Sequence, residues 1–350
     1  MVNNGDALVT CRGLRKWYPV STGFFSQLFG GEIWLKAVDG VDLDIYENEM
    51  YCLAGESGCG KTTIGKMLIG LINPTDGSVI VEGKNLYSIG RSELRKLRAS
   101  MQTIFQDPYS SLNPRLSLYD TIAEPLRLNK LASKEDEEEK VVRAFEAVQL
   151  VPAEEFTFRY PHELSGGQRQ RVAIARAIVV NPKFIVADEP VSMLDVSIRS
   201  EILSLMQKIQ REFKIAYIYI THDLSIASYI GDKIAIMYLG KVMERGVATK
   251  VILHPAHPYS QALVSAVPSP DPTRMRTRQI LPGEPGTPIN PPPGCLFASR
   301  CRYAKKKCRE IEPPLEEIEK GHYISCWYPP PPLDLGFDPA DQLKSAKSTN

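Results

Sequence analysis

The stretch Met50-Tyr-Cys-Leu-Ala-Gly-Glu-Ser-Gly-Cys-Gly-Lys-Thr-Thr63 decides how the rest of the chain is read. "MYCLAG" (50–55) has the apolar run of a buried strand, and "KTTIGKMLIGLI" (61–72) has the spacing of a helix that Pro74 stops. Between them, "GESGCGKTT" (55–63) fits the pattern G-x-x-x-x-G-K-[ST] in its required strand–loop–helix context. Gly55, Gly58 and Gly60 let the backbone curl until successive N–H groups, including those of Ser57 and Cys59, face a phosphate. The helix N-terminus adds partial positive charge. Lys61 is placed to reach outer phosphates, Thr62 to offer its hydroxyl to Mg²⁺, and Thr63 to sit near inner phosphates. Cys59 lies inside this cradle, where a helix N-terminus lowers a thiol's pKa. A readily alkylated thiol that nucleotide shields is one expectation, and a small residue that merely fits is the other.

The cradle alone means only a nucleoside triphosphatase. A second carboxylate set narrows it. "KFIVADEP" (183–190) runs four apolar residues into Asp188, a strand-end position suited to a Mg²⁺-directed carboxylate, and Glu189 follows as a general base able to polarise water. Apolar strands alternate with helical patterns up to about residue 248, the signature of an α/β domain. "SKEDEEEKVVRAFEAVQL" (133–150) places Val141, Phe145 and Val148 at helical spacing behind an acidic first turn.

Composition sets the outer bounds. A chain of 350 residues exceeds one typical core, which predicts two domains. Lys plus Arg (42) nearly balance Asp plus Glu (41), so the formal charge of +1 points to neither nucleic acid nor a membrane surface as partner. The N-terminus lacks a secretion-signal pattern and no apolar run reaches the length of a membrane span, which leads us to expect a cytosolic protein with reduced thiols.

"LSGGQRQRVAIARAI" (164–178) makes the resemblance specific: the sequence resembles the ATP-binding cassette (ABC) ATPases, with every expected element in order. The resemblance implies a P-loop core of RecA-like sheet plus an antiparallel β part and a helical subdomain at about 107–175, all within 1–248. It places Tyr18 of "LRKWYP" against adenine, with Trp17 as the adjacent candidate. It makes Gln106 of "FQDP" a ligand to Mg²⁺ and water, and His222 of "YITHDL" a contact for the γ-phosphate. "SMLDVS" (192–197) resembles the D-loop, keeping Asp195 but carrying Met193 where alanine is common. Ser165, Gly166, Gly167 and Gln168, at a helix N-terminus, form a second set of phosphate-facing groups. In this family they serve the cradle of another cassette, so two cassettes sandwich two ATP molecules and hydrolysis parts them.

"FQDPYSSLNPR" (105–115) and "HPYSQALVSAVPSPDP" (257–272) further resemble the oligopeptide/dipeptide importer ATPases, whose relatives import nickel or oligosaccharides. The resemblance implies a heterodimer with a second cassette, two membrane permease subunits, an extracytoplasmic solute-binding protein as indirect partner, and a peripheral position on the cytoplasmic membrane face. Soluble cassette ATPases of translation or DNA repair are the rival class. Lys61 and Ser165 lie 104 residues apart with no heptad run between, and the near-neutral charge does not suit nucleic acid. A non-hydrolysing clamp or adaptor is disfavoured by the presence of Glu189 and His222.

Beyond residue 248 proline becomes frequent. Residues 249–330 read as a small irregular extension and 331–350 as a loose tail. Four cysteines fall in the extension, Cys295, Cys301, Cys308 and Cys326, separated by five, six and seventeen residues. The absence of a C-x-x-C pair leans away from zinc without excluding it, and His322 is a spare zinc ligand. Four thiolates also suit an iron–sulfur cluster, and six basic residues (Arg300, Arg302, Lys305, Lys306, Lys307, Arg309) surround them as counter-charge, solvated face or lipid contact. The importer resemblance favours a [4Fe–4S] cluster, which would staple an extension too small to build its own core.

Overall fold

The computed structural model describes residues 6–20, 33–267, 279–284, 286–331, 333 and 340–341. The proline-rich stretch 269–275 and most of the expected tail at 331–350 lie outside the described residues.

In chain order, β1 (Val9–Pro19) and β2 (Trp34–Ile45) lead to the buried β3 (Met50–Ala54) and to α1 (Lys61–Leu68). Next come β4 (Asp76–Val81), β5 (Lys84–Asn85), α2 (Arg91–Ala99) and β6 (Met101–Ile104). A run of helices follows: α3 (Pro108–Ser111), α4 (Leu118–Asn129), α5 (Lys134–Ala147), α6 (Glu154–Thr157) and α7 (Gly166–Ile178). The chain then returns through β7 (Phe184–Asp188), α8 (Val196–Phe213), β8 (Ala216–Thr221), α9 (Leu224–Ile230), β9 (Lys233–Tyr238) and β10 (Lys241–Val247). It closes with α10 (Ala248–Leu253), α11 (Pro258–Ser265), α12 (Lys306–Glu310), β11 (Glu316–Glu319) and β12 (His322–Ile324).

Two sheets result. One is antiparallel, in the order β2-β1-β4-β5; the other has eight strands, β11-β12-β10-β9-β3-β8-β7-β6. Strands β9, β3, β8, β7 and β6 are mutually parallel, as strands joined by crossover helices must be. Both faces of this sheet are covered, and period-two alternation divides its side chains. Met50, Cys52 and Ala54 of β3, with Tyr217 and Tyr219 of β8, enter a core shared with the helices. Tyr51 and Leu53, with Ala216, Ile218 and Ile220, enter a second core under the antiparallel sheet, together with Ile64, Met67 and Leu68 of α1. The continuous apolar runs in the sequence record that two-sided burial.

Helix α5 starts as its sequence predicts. Ser133 and Asp136 form a reciprocal capping box, three acidic residues occupy the first turn, and Val141, Phe145 and Val148 are fully buried. No helix among the described residues is long and apolar enough to cross a membrane.

The extension differs from the irregular module expected. Its strands β11 and β12 continue the ATPase sheet, with Glu244 and Arg245 of β10 opposite Ile324 and Tyr323 of β12. Behind this junction, Glu244 is wholly buried and accepts hydrogen bonds from the backbone N–H of Ala256 and of His257, each at 2.9 Å; its carboxylate also lies 2.7 Å from Nε2 of His322. One buried carboxylate thus meets three groups from two segments, and burial holds the neighbouring His257 down to about 4, in its neutral form.

Candidate functional site

Strand β3 delivers the chain into the loop 55–60, whose course depends on glycine at two positions. Gly55 has φ 143° and Gly60 has φ 104°; a Cβ on the first would stand 2.2 Å from the Met237 carbonyl, and on the second 2.2 Å from that of Ala37. Lys61, the first residue of α1, folds back over the loop and donates to the carbonyls of Gly55 (2.8 Å) and Glu56 (3.0 Å). Those bonds satisfy a largely buried ammonium in this glycine-rich loop.

A cleft of about 660 Å³ opens over this loop, lined by Tyr18, Leu35 and Ala37, by Ser57, Gly58 and Gly60 through Thr63, and by Gln106, Asp188, Glu189 and His222. The sequence reading named most of these residues, but not Leu35 and Ala37, which reach the cleft because β2 pairs with β1 beside Tyr18. Tyr18 is 37% exposed. Trp17 faces another way, its indole N–H donating to Asp39 at 3.2 Å under the Lys36 ammonium.

At the far end of the cleft the polar groups converge. Thr62 Oγ1 lies 3.2 Å from Asp188 Oδ1. Burial pushes the Asp188 carboxyl above its ordinary range, against the pull of the Thr62 hydrogen bond. A divalent cation between this hydroxyl and carboxylate would reverse that shift, and an all-oxygen donor set of this kind suits Mg²⁺. Glu189 has φ 47°, unusual for a glutamate. Its carboxylate bridges two residues from other elements: Oε2 accepts from Gln106 Nε2 at 3.1 Å, and Oε1 lies 3.0 Å from His222 Nδ1. A carboxylate held by two neighbours at a cleft wall can orient a water and take its proton.

Ser165, Gly166, Gly167, Gln168 and Asp195 do not line this cleft. Ser165 caps α7, accepting from the Gln168 N–H at 3.3 Å while Gln168 Oε1 accepts from the Ser165 N–H at 3.0 Å. Ser165 and Asp195 are exposed, as is Met193 beside them.

The expectation of a reactive Cys59 is corrected. The residue is 3% exposed, and burial raises its thiol above the ordinary value although Lys61 pulls the other way. It fills space beneath the loop. The two other unclustered cysteines, Cys11 and Cys52, are also buried and free.

In the extension, Cys295, Cys301, Cys308 and Cys326 all line one cavity of about 20 Å³, with room for about one water molecule. All four are free thiols, and burial pushes Cys295 and Cys326 up to about 11. Their number and chemistry fit a metal centre, but their spacing does not. Among the described residues no three His, Cys, Asp or Glu side chains stand close enough to hold a metal ion. His322 is no spare ligand, since it is buried against Glu244. Nor do the basic residues act together. Lys305 lies over the Tyr328 ring and Lys307 over Trp327, whereas Arg300 turns inward to pair with Glu56.

Comparison with known proteins agrees with this geometry. Residues 38–192 match the family described as ABC transporter, and residues 243–308 match the Oligopeptide/dipeptide transporter, C-terminal region. The chain is 42% identical over 329 residues to the oligopeptide transport ATP-binding protein AppF of Bacillus subtilis, covering 92% of this chain and 98% of that one. It is 43% identical to the dipeptide transport ATP-binding protein DppF of Haemophilus influenzae (93% and 98%) and 47% to the oligopeptide transport ATP-binding protein OppF of Salmonella typhimurium (83% and 87%). Among solved structures it is similar to cbiO1 of Clostridium perfringens, part of the ABC transporter complex cbiONQ, with a TM-score of 0.60 and 28% identity over 71% of this chain and 91% of that one. It is also similar to the ATP-binding cassette MJ0796, dimeric and bound to ADP and Pi, with a TM-score of 0.59 and 28% identity over 69% and 98%. The chain is thus related to these proteins along nearly its whole length, and it belongs to the ABC transporter ATP-binding proteins, in the group that carries the oligopeptide/dipeptide transporter C-terminal region.

Proposed function

We propose that this chain is the ATP-hydrolysing subunit of an importer for di- and oligopeptides, working at the cytoplasmic membrane face beneath two permease subunits. The observation that carries the proposal is the division of the site. The cleft holds a glycine-rich loop, a Thr62–Asp188 pair and the Glu189 bridge, while the Ser165–Gln168 helix terminus does not line it and its cap, Ser165, is exposed. A triphosphate in the cleft still presents charge to solvent, and a second cassette's helix N-terminus is the complementary donor set. ATP thereby favours the closed pair and hydrolysis favours the open one, a ligand-driven two-state switch.

Within the cleft, Tyr18 stacks the base, the loop N–H groups and Lys61 hold the phosphates, and Glu189 accepts the proton of the attacking water, with Gln106 and His222 fixing its carboxylate. Thr62, Asp188 and Gln106 would hold Mg²⁺, which when bound would supply charge neutralisation at the phosphates. The second cassette is a similar but distinct chain, since this group resembles importers with paired ATPase subunits. Peptide cargo reaches the permeases through a binding protein and never touches this subunit. Reconstituting the chain with its permeases and second cassette in vesicles, with the binding protein outside, tests the reading: ATP inside should drive uptake of labelled oligopeptides. Uptake of nickel or oligosaccharide in their place would move the assignment to a sister importer, and co-purification with ribosomes or DNA instead of permeases would end it.

The four thiols support a second component of the proposal, a [4Fe–4S] centre in the extension, with zinc as the alternative. Their convergence on one cavity and their number favour it; the present spacing requires the thiols to shift on metal uptake. Anaerobically purified protein should carry about four iron atoms per chain. Stoichiometric zinc would select the alternative, and neither metal would leave four plain thiols.

A further inference from the structure

Glu56 is the only acidic residue of the phosphate loop "GESGCGKTT". An unpaired carboxylate there would repel the triphosphate that the loop's N–H groups attract, because charges a few ångströms apart interact strongly in partly buried surroundings. The structure pairs it from 244 residues away. Arg300 grips Glu56 with a fork, Nη1 to Oε2 at 2.9 Å and Nη2 to Oε1 at 3.2 Å. The Arg300 side chain is only 8% exposed. Its Nε donates to the Pro282 carbonyl at 3.2 Å, and its guanidinium lies 5.8 Å from the Tyr238 ring centre. Glu56 is held from the other side too, its backbone N–H donating to the Tyr259 hydroxyl at 3.0 Å. Tyr238, Tyr259 and Phe297 pack ring to ring beneath the pair, so the extension and the core share one aromatic floor.

A second contact from the extension reaches the same cleft. The Lys36 N–H donates to the Pro288 carbonyl at 2.9 Å, and Ile289 bridges to Leu35, which lines the cleft next to Ala37. Glu56 in turn touches the residue that matters most to phosphate, since its carbonyl accepts from Lys61 Nζ.

We propose that Arg300 is a positioning residue for nucleotide: by neutralising and anchoring Glu56, the C-terminal extension sets the phosphate affinity of the ATPase loop. Arg300 reaches no nucleotide itself and acts through the loop. The inference rests on the ATP-binding reading above.

The test is calorimetric titration of the full-length chain with Mg·ADP, which binds without turnover. Arg300→Ala should weaken ADP about ten- to hundredfold, the usual consequence of leaving one member of a buried charge pair alone. Glu56→Gln introduced into Arg300→Ala should restore affinity to nearly that of the wild type, because the repelling charge is gone. A merely structural arginine would not be rescued in this way. Should Arg300→Ala unfold at lower temperature than the wild type, Arg300→Gln, which keeps much of the side chain's length without its charge, carries the same comparison. Wild-type affinity in Arg300→Ala and Arg300→Gln, or a double variant as weak as Arg300→Ala, overturns the inference. A wild-type chain that binds no ADP would instead overturn the nucleotide reading on which the inference stands.

Discussion

Replacing Glu189 with glutamine lowers ATP hydrolysis by the assembled cassette pair about 10²- to 10⁴-fold, the usual contribution of one acid–base group, and leaves ATP binding in place. The expectation follows from position. Glu189 comes one residue after the strand end that presents Asp188, and its positive φ turns the side chain along the cleft wall toward Gln106 and His222. Glutamine preserves shape and the acceptor toward Gln106 but cannot take a proton. The loop residues proposed to hold phosphate are untouched, so the equilibrium constant for ATP should stay near that of the wild type. Measuring turnover at saturating ATP alongside ATP affinity separates the two effects. Hydrolysis at the wild-type rate would remove Glu189 from the chemistry and shift attention to His222, which is more exposed and reaches the cleft independently.

The parts of the fold legible in the sequence are those in which local pattern and tertiary context agree. Strand β3, its glycine turn and α1 can be read because buried strands are apolar throughout and because anion-binding turns need glycine at fixed offsets. Helix α5 can be read from an acidic first turn and a three-residue stripe. Strand β11 cannot: "EEIE" is exposed at every position, as an edge strand protected by charge tends to be, and nothing in it alternates. The Arg300–Glu56 pair was equally hidden, since no local rule links positions so far apart. His322 as a metal ligand failed for a related reason. Its chemistry was read from the sequence, whereas its partner Glu244 is set by the pairing of β10 with β12. Cys59 misled in the opposite sense, because helix-terminus electrostatics favours a thiolate only where solvent reaches it, and this thiol is covered.

Gly166→Asp in this chain should cut ATP turnover of the assembled pair about 10²- to 10³-fold, the loss typical of spoiling one preorganised anion contact, while the isolated chain binds nucleotide as before. The substitution suits the test because its local cost is small. A Cβ at Gly166 meets only the Leu194 side chain at 3.5 Å, an ordinary contact, and an acidic residue in the first turn of α7 is favourable to that helix. The chain's own cleft gains no charge, since residue 166 does not line it. Only if α7 meets the phosphates of a second cassette does the new carboxylate oppose a triphosphate. Titration of the single chain with ADP and turnover of the pair therefore respond differently to one substitution. Unchanged turnover in the pair would mean that the helix terminus faces something other than nucleotide, and the shared-site arrangement would have to be abandoned even with the phosphate loop, Asp188 and Glu189 in place.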